Sequence, residues 1–322
     1  MPTQNNSIQI AVVIPSYKVT NHILSVIDSL DQSIDLIYVV DDCCPNESGN
    51  FVKERRNDPR IKILKHSRNQ GVGGAVLTGY AAALHDGADI IIKIDGDGQM
   101  DSSQIPKLIR PILNGDADYT KGNRFFNLEE ISAMPKMRLF GNAVLSMMTK
   151  FSSGYWDLFD PTNGFTAIHK NVAKSLPSNK ISKRYFFETD MLFRLNTLRA
   201  VVVDVPMDAK YGDEISNLKI HKIIGEFLVK HTINLSKRIF YNYYLRDMSL
   251  ASIELPIGLM LFFFGLIFGT VQWISSSQSG VTTPAGTVML ACLPLLMGLQ
   301  LILAFLAYDI STVPRRPINK GS

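Results

Sequence analysis

Two aspartates separated by one residue are the strongest candidates for chemistry in this sequence. Asp95 and Asp97 stand in the segment DGDGQ, directly after an apolar run that ends at Ile94. Two carboxylates at a strand end can turn towards one divalent cation, and Mg²⁺ and Mn²⁺ prefer oxygen ligands and share coordination with substrate phosphates. Such an ion neutralises the charge that builds up on a departing diphosphate. The segment could also be an ordinary turn, because turns favour Asp and Gly.

The elements around this segment predict a mostly parallel sheet. Strand-like runs rich in β-branched residues alternate with segments long enough for helices. The runs are residues 8–15, 35–41, 60–65 and 89–95, and the helical segments between them are 21–30, 47–56 and 71–85. This alternation is typical of a parallel sheet covered by helices on both faces.

Other predicted strand ends also carry polar or glycine-rich segments. Pro15-Ser16-Tyr17 ends the first strand, Asp41-Asp42 ends the second, and Asn69-Gln70-Gly71 lies just past the third. Open parallel sheets bind ligands beyond the carboxyl ends of their strands, so these segments are expected to cluster with Asp95 and Asp97. That position favours a functional site over an ordinary turn.

Composition excludes some classes of protein. The 322 residues include 33 basic and 29 acidic side chains, a formal charge of +4. This balance is too mild for a nucleic-acid binder, which concentrates basic residues in a stripe. Two of the three cysteines, Cys43 and Cys44, are adjacent, and Cys292 lies in an apolar run. That arrangement indicates neither a disulfide framework nor a zinc site, and it fits a reducing, cytosolic environment.

The C-terminal part predicts a pair of membrane-spanning helices. From Leu255 to Tyr308 the chain has no Asp, Glu, Lys or Arg, and a polar turn separates the stretches 255–275 and 286–308. Each stretch has about the 20 residues that a helix needs to cross a bilayer. Basic residues flank the pair on both sides, which predicts that both ends and the N-terminal domain face the cytosol. The expected location is a bacterial inner membrane. The alternative is a buried apolar hairpin in a soluble protein.

The segment before the first span has the pattern of a basic amphipathic helix. Its apolar residues recur at helical spacing from Ile220 to Leu228, accompanied by lysines. Such a helix is expected to lie in the lipid headgroup layer or to pack on the preceding domain. The predicted division is residues 1–216, a cytosolic domain; 217–250, juxtamembrane helices; and 251–322, two spans with a short cytosolic tail.

Six motifs in a fixed order carry a resemblance to a known family. They are residues 13–17 (VIPSY), 39–42 (VVDD), 69–75 (NQGVGGA), 95–99 (DGDGQ), 121–124 (KGNR) and 160–165 (DPTNGF). With them the chain resembles the inverting family 2 glycosyltransferases of GT-A fold, in the membrane-anchored branch of polyprenyl-phosphate and dolichyl-phosphate sugar synthases. Cys43-Cys44 departs from the usual Gly-Ser, and Thr166 stands where Arg is common. The resemblance implies a Rossmann-like, mostly parallel sheet with flanking helices and a two-helix membrane anchor.

The resemblance also implies roles on the donor side. A nucleotide-sugar would be bound by Pro15, Tyr17, Asp41, Asp42, Asn69, Gln70, Gly71, Gly74, Asp95, Gln99 and Lys210. Mg²⁺ or Mn²⁺ would be held by Asp95, Asp97 and Gln99.

Arg124 is expected to hold the acceptor phosphate or the donor diphosphate bidentately, or to form a surface salt bridge. The catalytic candidates are Asp97, Asp160, Glu188 and Asp190. Asp160 is expected to face the sugar or the acceptor. Glu188 or Asp190 would be a base for a hydroxyl acceptor, whereas a phosphate acceptor, with its second pKa of about 6, needs little help. The other interpretation of this acidic pair is a structural ion pair with Arg194.

The leading hypothesis is transfer of one sugar to a polyprenyl phosphate at the cytosolic membrane face. The alternatives are transfer to a hydroxyl of a lipid-linked oligosaccharide or glycolipid, and an inactive membrane scaffold. A processive synthase would carry Gln-x-x-Arg-Trp, and an oxidoreductase would carry Gly-x-Gly-x-x-Gly after the first strand; neither string occurs. The expected partners are the donor, the lipid-linked acceptor and membrane lipid, with homo-oligomerisation open and no nucleic acid.

Overall fold

The structure, a computed structural model, describes residues 8–125, 136–207 and 220–321. The chain forms two compact units: Met1–Leu235 together with Pro314–Ser322, and Ser236–Val313. The predicted division at residues 216 and 250 stays a prediction. Lys210, the predicted donor-binding lysine, lies outside the described residues.

The first unit is built on a seven-stranded sheet. Its strands are β1 Ile10–Ser16, β2 Leu36–Asp41, β3 Ile61–Lys65, β4 Ile90–Lys93, β5 Tyr119–Asn123, β6 Thr166–His169 and β7 Val202–Pro206. Their order is β3-β2-β1-β4-β6-β5-β7. All neighbouring strands run parallel except β6, which is antiparallel to both β4 and β5. The predicted fold class, a mostly parallel α/β sheet, is confirmed.

Helices flank this sheet and continue beyond it. They are α1 Ile23–Asp28, α2 Ser48–Arg55, α3 Val72–His85, α4 Ile105–Leu113, α5 Lys136–Ser153, α6 Lys170–Ser175, α7 Phe187–Leu198, α8 Ile220–Phe240, α9 Ala251–Ser279 and α10 Ala285–Ser311. Helix α8 begins in the first unit and ends in the second.

The core of the first unit explains why its apolar runs become central strands. All four residues of β4 are buried, and β1 and β2 are buried along most of their length. Continuous β-branched runs of this kind suit strands that are covered on both faces. Apolar side chains from α1 and α4 pack against one face, including Ile23 and Leu108. The strand ends are therefore held rigidly.

The chain returns to the first unit after the second. The Asp118 carboxylate, fully buried before β5, accepts hydrogen bonds from the backbone amides of Val201 (2.8 Å), Ile318 (3.0 Å) and Asn319 (3.0 Å). Asn319 also donates from its side chain to the Ala117 carbonyl at 3.0 Å. One buried carboxylate thus anchors the C-terminal tail.

The second unit is a helical hairpin of α9 and α10. Both helices are long and apolar enough to cross a membrane. They approach closely at glycines: a Cβ at Gly265 would lie 2.6 Å from the Ala291 carbonyl oxygen, and one at Gly298 would lie 2.7 Å from the Gly258 carbonyl oxygen. Small residues at such contacts are typical of membrane helix pairs, where close packing replaces the hydrophobic effect.

A buried ion pair fixes the base of this hairpin. The Arg238 guanidinium donates to both carboxylate oxygens of Asp309, at 2.6 and 2.9 Å. The Tyr243 hydroxyl donates to the same carboxylate at 2.6 Å. All three side chains are almost completely buried. Bidentate pairing with an additional hydrogen bond is the arrangement in which a buried carboxylate is best compensated.

Candidate active site

The sheet register brings the predicted strand-end segments to one edge. Ser16 pairs with Asp41 across β1 and β2, and Val13 pairs with Lys93 across β1 and β4. Because these strands are parallel, Tyr17 and the Asp95 segment leave the sheet at the same edge as Asp41. Pro15 lies at the end of β1, and Tyr17 is exposed just beyond it. The predicted clustering of these segments is present in the fold.

The centre of this edge is a buried lysine between two carboxylates. The Lys93 ammonium lies 3.0 Å from Asp95 Oδ1 and 3.2 Å from Glu188 Oε1. The Lys93 side chain is 2% exposed, whereas those of Asp95 and Glu188 are 31% and 17% exposed. Burial disfavours the ammonium, but the two carboxylates outweigh it, so the pKa of Lys93 lies above its ordinary value.

The segment after Asp95 forms a tight turn that keeps a second carboxylate nearby. Asp97 is half-buried, and its Oδ1 accepts the Gln99 amide at 3.1 Å. Gly98 has φ +78°, a left-handed conformation that glycine adopts without strain. The Gln99 side chain is exposed. Gly98 thus allows the sharp turn of this segment.

The donor set can be tested against a divalent ion. Among the described residues, no group of three His, Cys, Asp or Glu side chains forms a ready-made metal cage. Asp95 and Asp97 are oxygen donors at a partly exposed turn. This set fits an ion that takes only one or two protein carboxylates and completes its shell with water and substrate phosphate, as Mg²⁺ does. The ligand roles of Asp95, Asp97 and Gln99 remain predictions.

The loop of residues 160–165 closes the other side of Asp95. A Cβ at Gly164 would lie 2.9 Å from Asp95 Oδ2 and would collide with the Lys93 ammonium. The loop is held by a second buried lysine, because the Lys121 ammonium donates to the carbonyls of Asp160 and Asn163. Burial lowers the pKa of Lys121, although nearby carboxylates, of which Asp160 has the largest effect, raise it.

The two buried lysines belong to one row across the sheet. Lys93 pairs with Thr166, Thr166 with Lys121, and Lys121 with Asp204. Side chains directly opposite on neighbouring strands share a face, so these four polar residues line one side of the sheet. Burial raises the pKa of the Asp204 carboxyl. Neither Lys93 nor Lys121 was among the predicted site residues, although Lys93 ends an otherwise apolar strand, which is a signal for a buried, paired cation.

Arg124 and Asp160, predicted as separate acceptor-side residues, form a pair. Arg124 Nε and a terminal nitrogen donate to the Asp160 carboxylate at 2.9 and 3.3 Å, and the Arg124 amide donates at 3.3 Å. The Asp160 side chain is fully buried and that of Arg124 is 37% exposed. The carboxylate therefore fixes one edge of a guanidinium that remains partly accessible. The salt bridge considered as an alternative is present, but its acidic partner is not on the surface.

Asp41 and Asp42 both hold backbone amides. Asp41 accepts the amides of Cys44 (2.7 Å) and Gly49 (2.8 Å) and is fully buried. Asp42 accepts those of Gln70 (2.8 Å) and Gly71 (2.7 Å) and pairs with a histidine. The carboxylates thus shape the turn after β2 and the loop before α3, and their predicted contacts with a nucleoside stay untested.

That histidine, His66, extends the network. Its Nδ1 lies 2.7 Å from Asp42 Oδ1, and its Nε2 lies 2.9 Å from the Thr78 hydroxyl. Asn69 donates from its side chain to the Asp42 carbonyl at 3.3 Å. The loop that was expected to line the donor cleft is therefore held to Asp42 by hydrogen bonds from His66, Asn69 and the backbone before α3.

The glycines of α3 serve close packing in this structure. Gly71 has φ +88°, and a Cβ there would lie 2.5 Å from the Lys183 carbonyl oxygen. The Gly74 amide donates to that carbonyl at 3.2 Å, and the Lys183 ammonium donates to Gln70 Oε1 at 2.8 Å. The backbone near residue 183 thus covers this helix start, and a phosphate contact there stays a prediction.

The two acidic residues on α7, Glu188 and Asp190, have different partners. Glu188 faces Lys93 in the candidate site. Asp190 is buried and accepts the Ser182 amide at 2.7 Å and the Asn234 side chain at 3.0 Å. Arg194 Nε lies 3.9 Å from the Asp190 carboxylate. The structural ion pair is therefore present at Asp190, and Glu188 is the member of the pair that lies beside Asp95.

A mostly parallel sheet with an Asp-x-Asp turn beyond its fourth strand defines a GT-A-type glycosyltransferase domain. Glucosyl-3-phosphoglycerate synthase from Mycobacterium tuberculosis, solved with Mn²⁺, UDP and glucosyl-3-phosphoglycerate, has a similar fold. The TM-score is 0.52 and the identity 18%, covering 72% of this chain and 80% of that one. At this identity the likeness supports the fold alone.

Sequence comparisons give the family. Residues 11–176 match glycosyl transferase family 2. UDP-N-acetylglucosamine–dolichyl-phosphate N-acetylglucosaminyltransferase from Methanococcus voltae is 31% identical, over 63% of this chain and 86% of the relative. Undecaprenyl-phosphate mannosyltransferase from Micrococcus luteus is 26% identical, over 70% and 93%. The chain therefore belongs to glycosyl transferase family 2, and it is a glycosyltransferase.

Proposed function

We propose that this enzyme transfers one sugar, with inversion at the anomeric carbon, from a nucleotide-sugar to a polyprenyl phosphate at the cytosolic face of a membrane. The observation that carries the proposal is the partly exposed Asp95–Asp97 turn at the strand edge, bordered by Glu188. The names of the relatives, which transfer sugars to dolichyl or undecaprenyl phosphate, support the acceptor. The apolar hairpin of α9 and α10 supports a membrane location.

Asp95 and Asp97 are the residues that would hold Mg²⁺ or Mn²⁺, with Gln99 next to them. When bound, such an ion neutralises charge on the leaving nucleoside diphosphate. The Asp160–Arg124 pair presents a partly exposed guanidinium suited to a phosphate. An oxygen of the acceptor phosphate forms the new bond to the anomeric carbon while the bond to the diphosphate breaks.

The phosphate acceptor makes a strong general base unnecessary. Its second pKa of about 6 leaves it largely ionised at neutral pH. The residues of the site then contribute mainly by positioning the two substrates. Glu188 would border the sugar rather than remove a proton.

Transfer to a hydroxyl is the second candidate function. The observation in its favour is the Glu188 carboxylate, 17% exposed beside Asp95, because a hydroxyl nucleophile needs a base. The two functions differ in their response to Glu188→Gln. Activity falls by about 10²-fold or more if Glu188 is a general base and less if it only positions the sugar.

Radiolabelled transfer to purified polyprenyl phosphate tests the proposal. The donors are a panel of nucleotide-sugars beginning with UDP-N-acetylglucosamine, assayed with Mn²⁺, with Mg²⁺ and with chelator. Wild type is compared with Asp97→Ala and with the matched control Asp116→Ala, whose side chain is 60% exposed. We expect metal-dependent labelling that is lost only in Asp97→Ala. Metal-dependent donor binding without transfer would instead favour a hydroxyl acceptor, and absence of both would refute the proposal.

A further inference from the structure

Lys93 is a buried cation that the proposed reaction leaves without a task. It ends β4, and its Nζ lies 3.0 Å from Asp95 and 3.2 Å from Glu188. Burying an ammonium group is costly unless it is paired. Its partners come from distant parts of the chain, since Glu188 lies on α7. Lys93 therefore connects the Asp95 turn to that helix.

The pairing matters because the site is crowded with negative charge. Asp95, Asp97 and Glu188 are acidic, and the oxygens of Asp95 and Glu188 that contact Lys93 lie within roughly 6 Å of each other, where like charges repel. With Lys93 the four side chains carry two net negative charges; without it they would carry three. A nucleotide-sugar brings a negatively charged diphosphate to the same place, so the ammonium reduces repulsion of that substrate.

We propose that Lys93 is a positioning residue that holds the Glu188 carboxylate against the donor site and sets the net charge of the Asp95–Asp97 turn. The inference rests on the proposed function, since it assigns Lys93 a role in binding and reacting a nucleotide-sugar. Lys93 acts through Glu188 and Asp95 and does not itself have to touch the substrate.

Gly164 shows how tightly Lys93 is held. A Cβ at this position would collide with the Lys93 ammonium, with Asp95 Oδ2 2.9 Å away and Met100 Cε 3.3 Å away. Gly164→Ala would therefore displace Lys93 or Asp95 without changing any charge. Gly225→Ala is the matched control, because a Cβ at Gly225 would meet nothing within 4 Å.

The first experiment is a double-mutant cycle on kcat in the full-length protein, with Lys93→Met, Glu188→Gln and the double variant. Methionine keeps a long unbranched side chain and removes the charge. We expect Lys93→Met to lower kcat by ~10²-fold, because a misplacement of about 1 Å at an active site can cost that much. If Lys93 acts through Glu188, adding Glu188→Gln lowers kcat by no more than about threefold further. Gly164→Ala should also lower kcat, and Gly225→Ala should not.

The second experiment needs neither donor nor acceptor. Mn²⁺ binding to the full-length protein is measured by electron paramagnetic resonance, and the specific site is defined as the binding lost in Asp97→Ala. Removing a positive charge beside Asp95 should make Mn²⁺ bind more tightly, by roughly tenfold in Lys93→Met. A merely structural lysine predicts the reverse, because a disordered site binds the ion less well.

Tighter Mn²⁺ binding together with a non-additive loss of kcat supports the proposal. Weaker or unchanged Mn²⁺ binding in Lys93→Met, multiplicative losses in the cycle, or absence of specific Mn²⁺ binding in wild type would overturn it. Failure of the proposed function is distinguishable from failure of this inference. In the first case the wild-type protein transfers no sugar, whatever the Mn²⁺ measurement shows. If Lys93→Met does not fold, Gly164→Ala against Gly225→Ala decides: full activity in Gly164→Ala overturns the proposal.

Discussion

Replacement of His231 should remove an acid-sensitive contact in the first unit. His231 on α8 is 4% exposed and shares a hydrogen bond of 2.8 Å with Ser152 on α5. Its ring lies edge-on to Phe186, with centroids 5.0 Å apart, and its Nε2 has no hydrogen-bond partner among the described residues. Burial lowers the pKa of His231 to about 4, against a smaller opposing hydrogen bond at Met148.

The direction of the pH effect follows from this depressed pKa. The unfolded chain takes up the proton below the ordinary value of about 6.5, whereas the folded chain resists protonation until about 4. The contribution of His231 is therefore complete above pH ~6.5 and is lost as the pH falls towards ~4. Linkage gives a loss of about 2 kcal/mol between pH ~7 and pH ~5.

Thermal unfolding of wild type and His231→Phe, measured in detergent across this pH range, tests the prediction. For a unit of this size, a change of 1 kcal/mol shifts Tm by roughly 2–4 °C. Wild type should therefore lose several degrees more than His231→Phe on acidification. His85→Gln provides the control, because the His85 side chain is 88% exposed. Parallel pH profiles for wild type and His231→Phe would refute the burial argument.

Three further predictions concern buried carboxylates. Asp118→Ala removes the acceptor of three backbone amides, one of them buried, at about 1 kcal/mol or more for the buried one. A lower Tm and faster proteolysis of the C-terminal tail should follow, compared with Glu54→Ala, whose side chain is 71% exposed. Asp160→Asn removes the charge that orients Arg124, so the KM for the lipid phosphate should rise by ~10-fold while the KM for the donor changes little, as steady-state kinetics would show. Asp190→Asn should lower the free energy of unfolding, measured by denaturant titration, by about 1–3 kcal/mol, with kcat of the folded fraction close to wild type.

The sequence predicted the central strands and the strand-end cluster because continuous β-branched runs have few alternatives to a doubly covered sheet. It could not show which donors would form hydrogen bonds with a given carboxylate. Asp41 and Asp42 were expected to bind the nucleotide-sugar, and in the structure each also accepts two backbone amides inside the protein. The Gln70 and Gly71 amides belong to a loop whose return to β2 depends on the completed fold, whereas those of Cys44 and Gly49 follow β2 closely along the chain. The pairing of Lys93 could not be predicted for a related reason: its partner Glu188 lies 95 positions away.

The acidic pairs Asp95/Asp97 and Glu188/Asp190 have the same spacing, but they differ in outcome because the backbone differs. Asp95 and Asp97 stand in a glycine-rich turn, where side chains two positions apart can face one ligand. Glu188 and Asp190 stand on a helix, where residues two apart point to different sides. Only one of the helical pair can therefore face the site. The choice of Glu188 needed the sheet, because it depends on which side of α7 meets Lys93 at the end of β4.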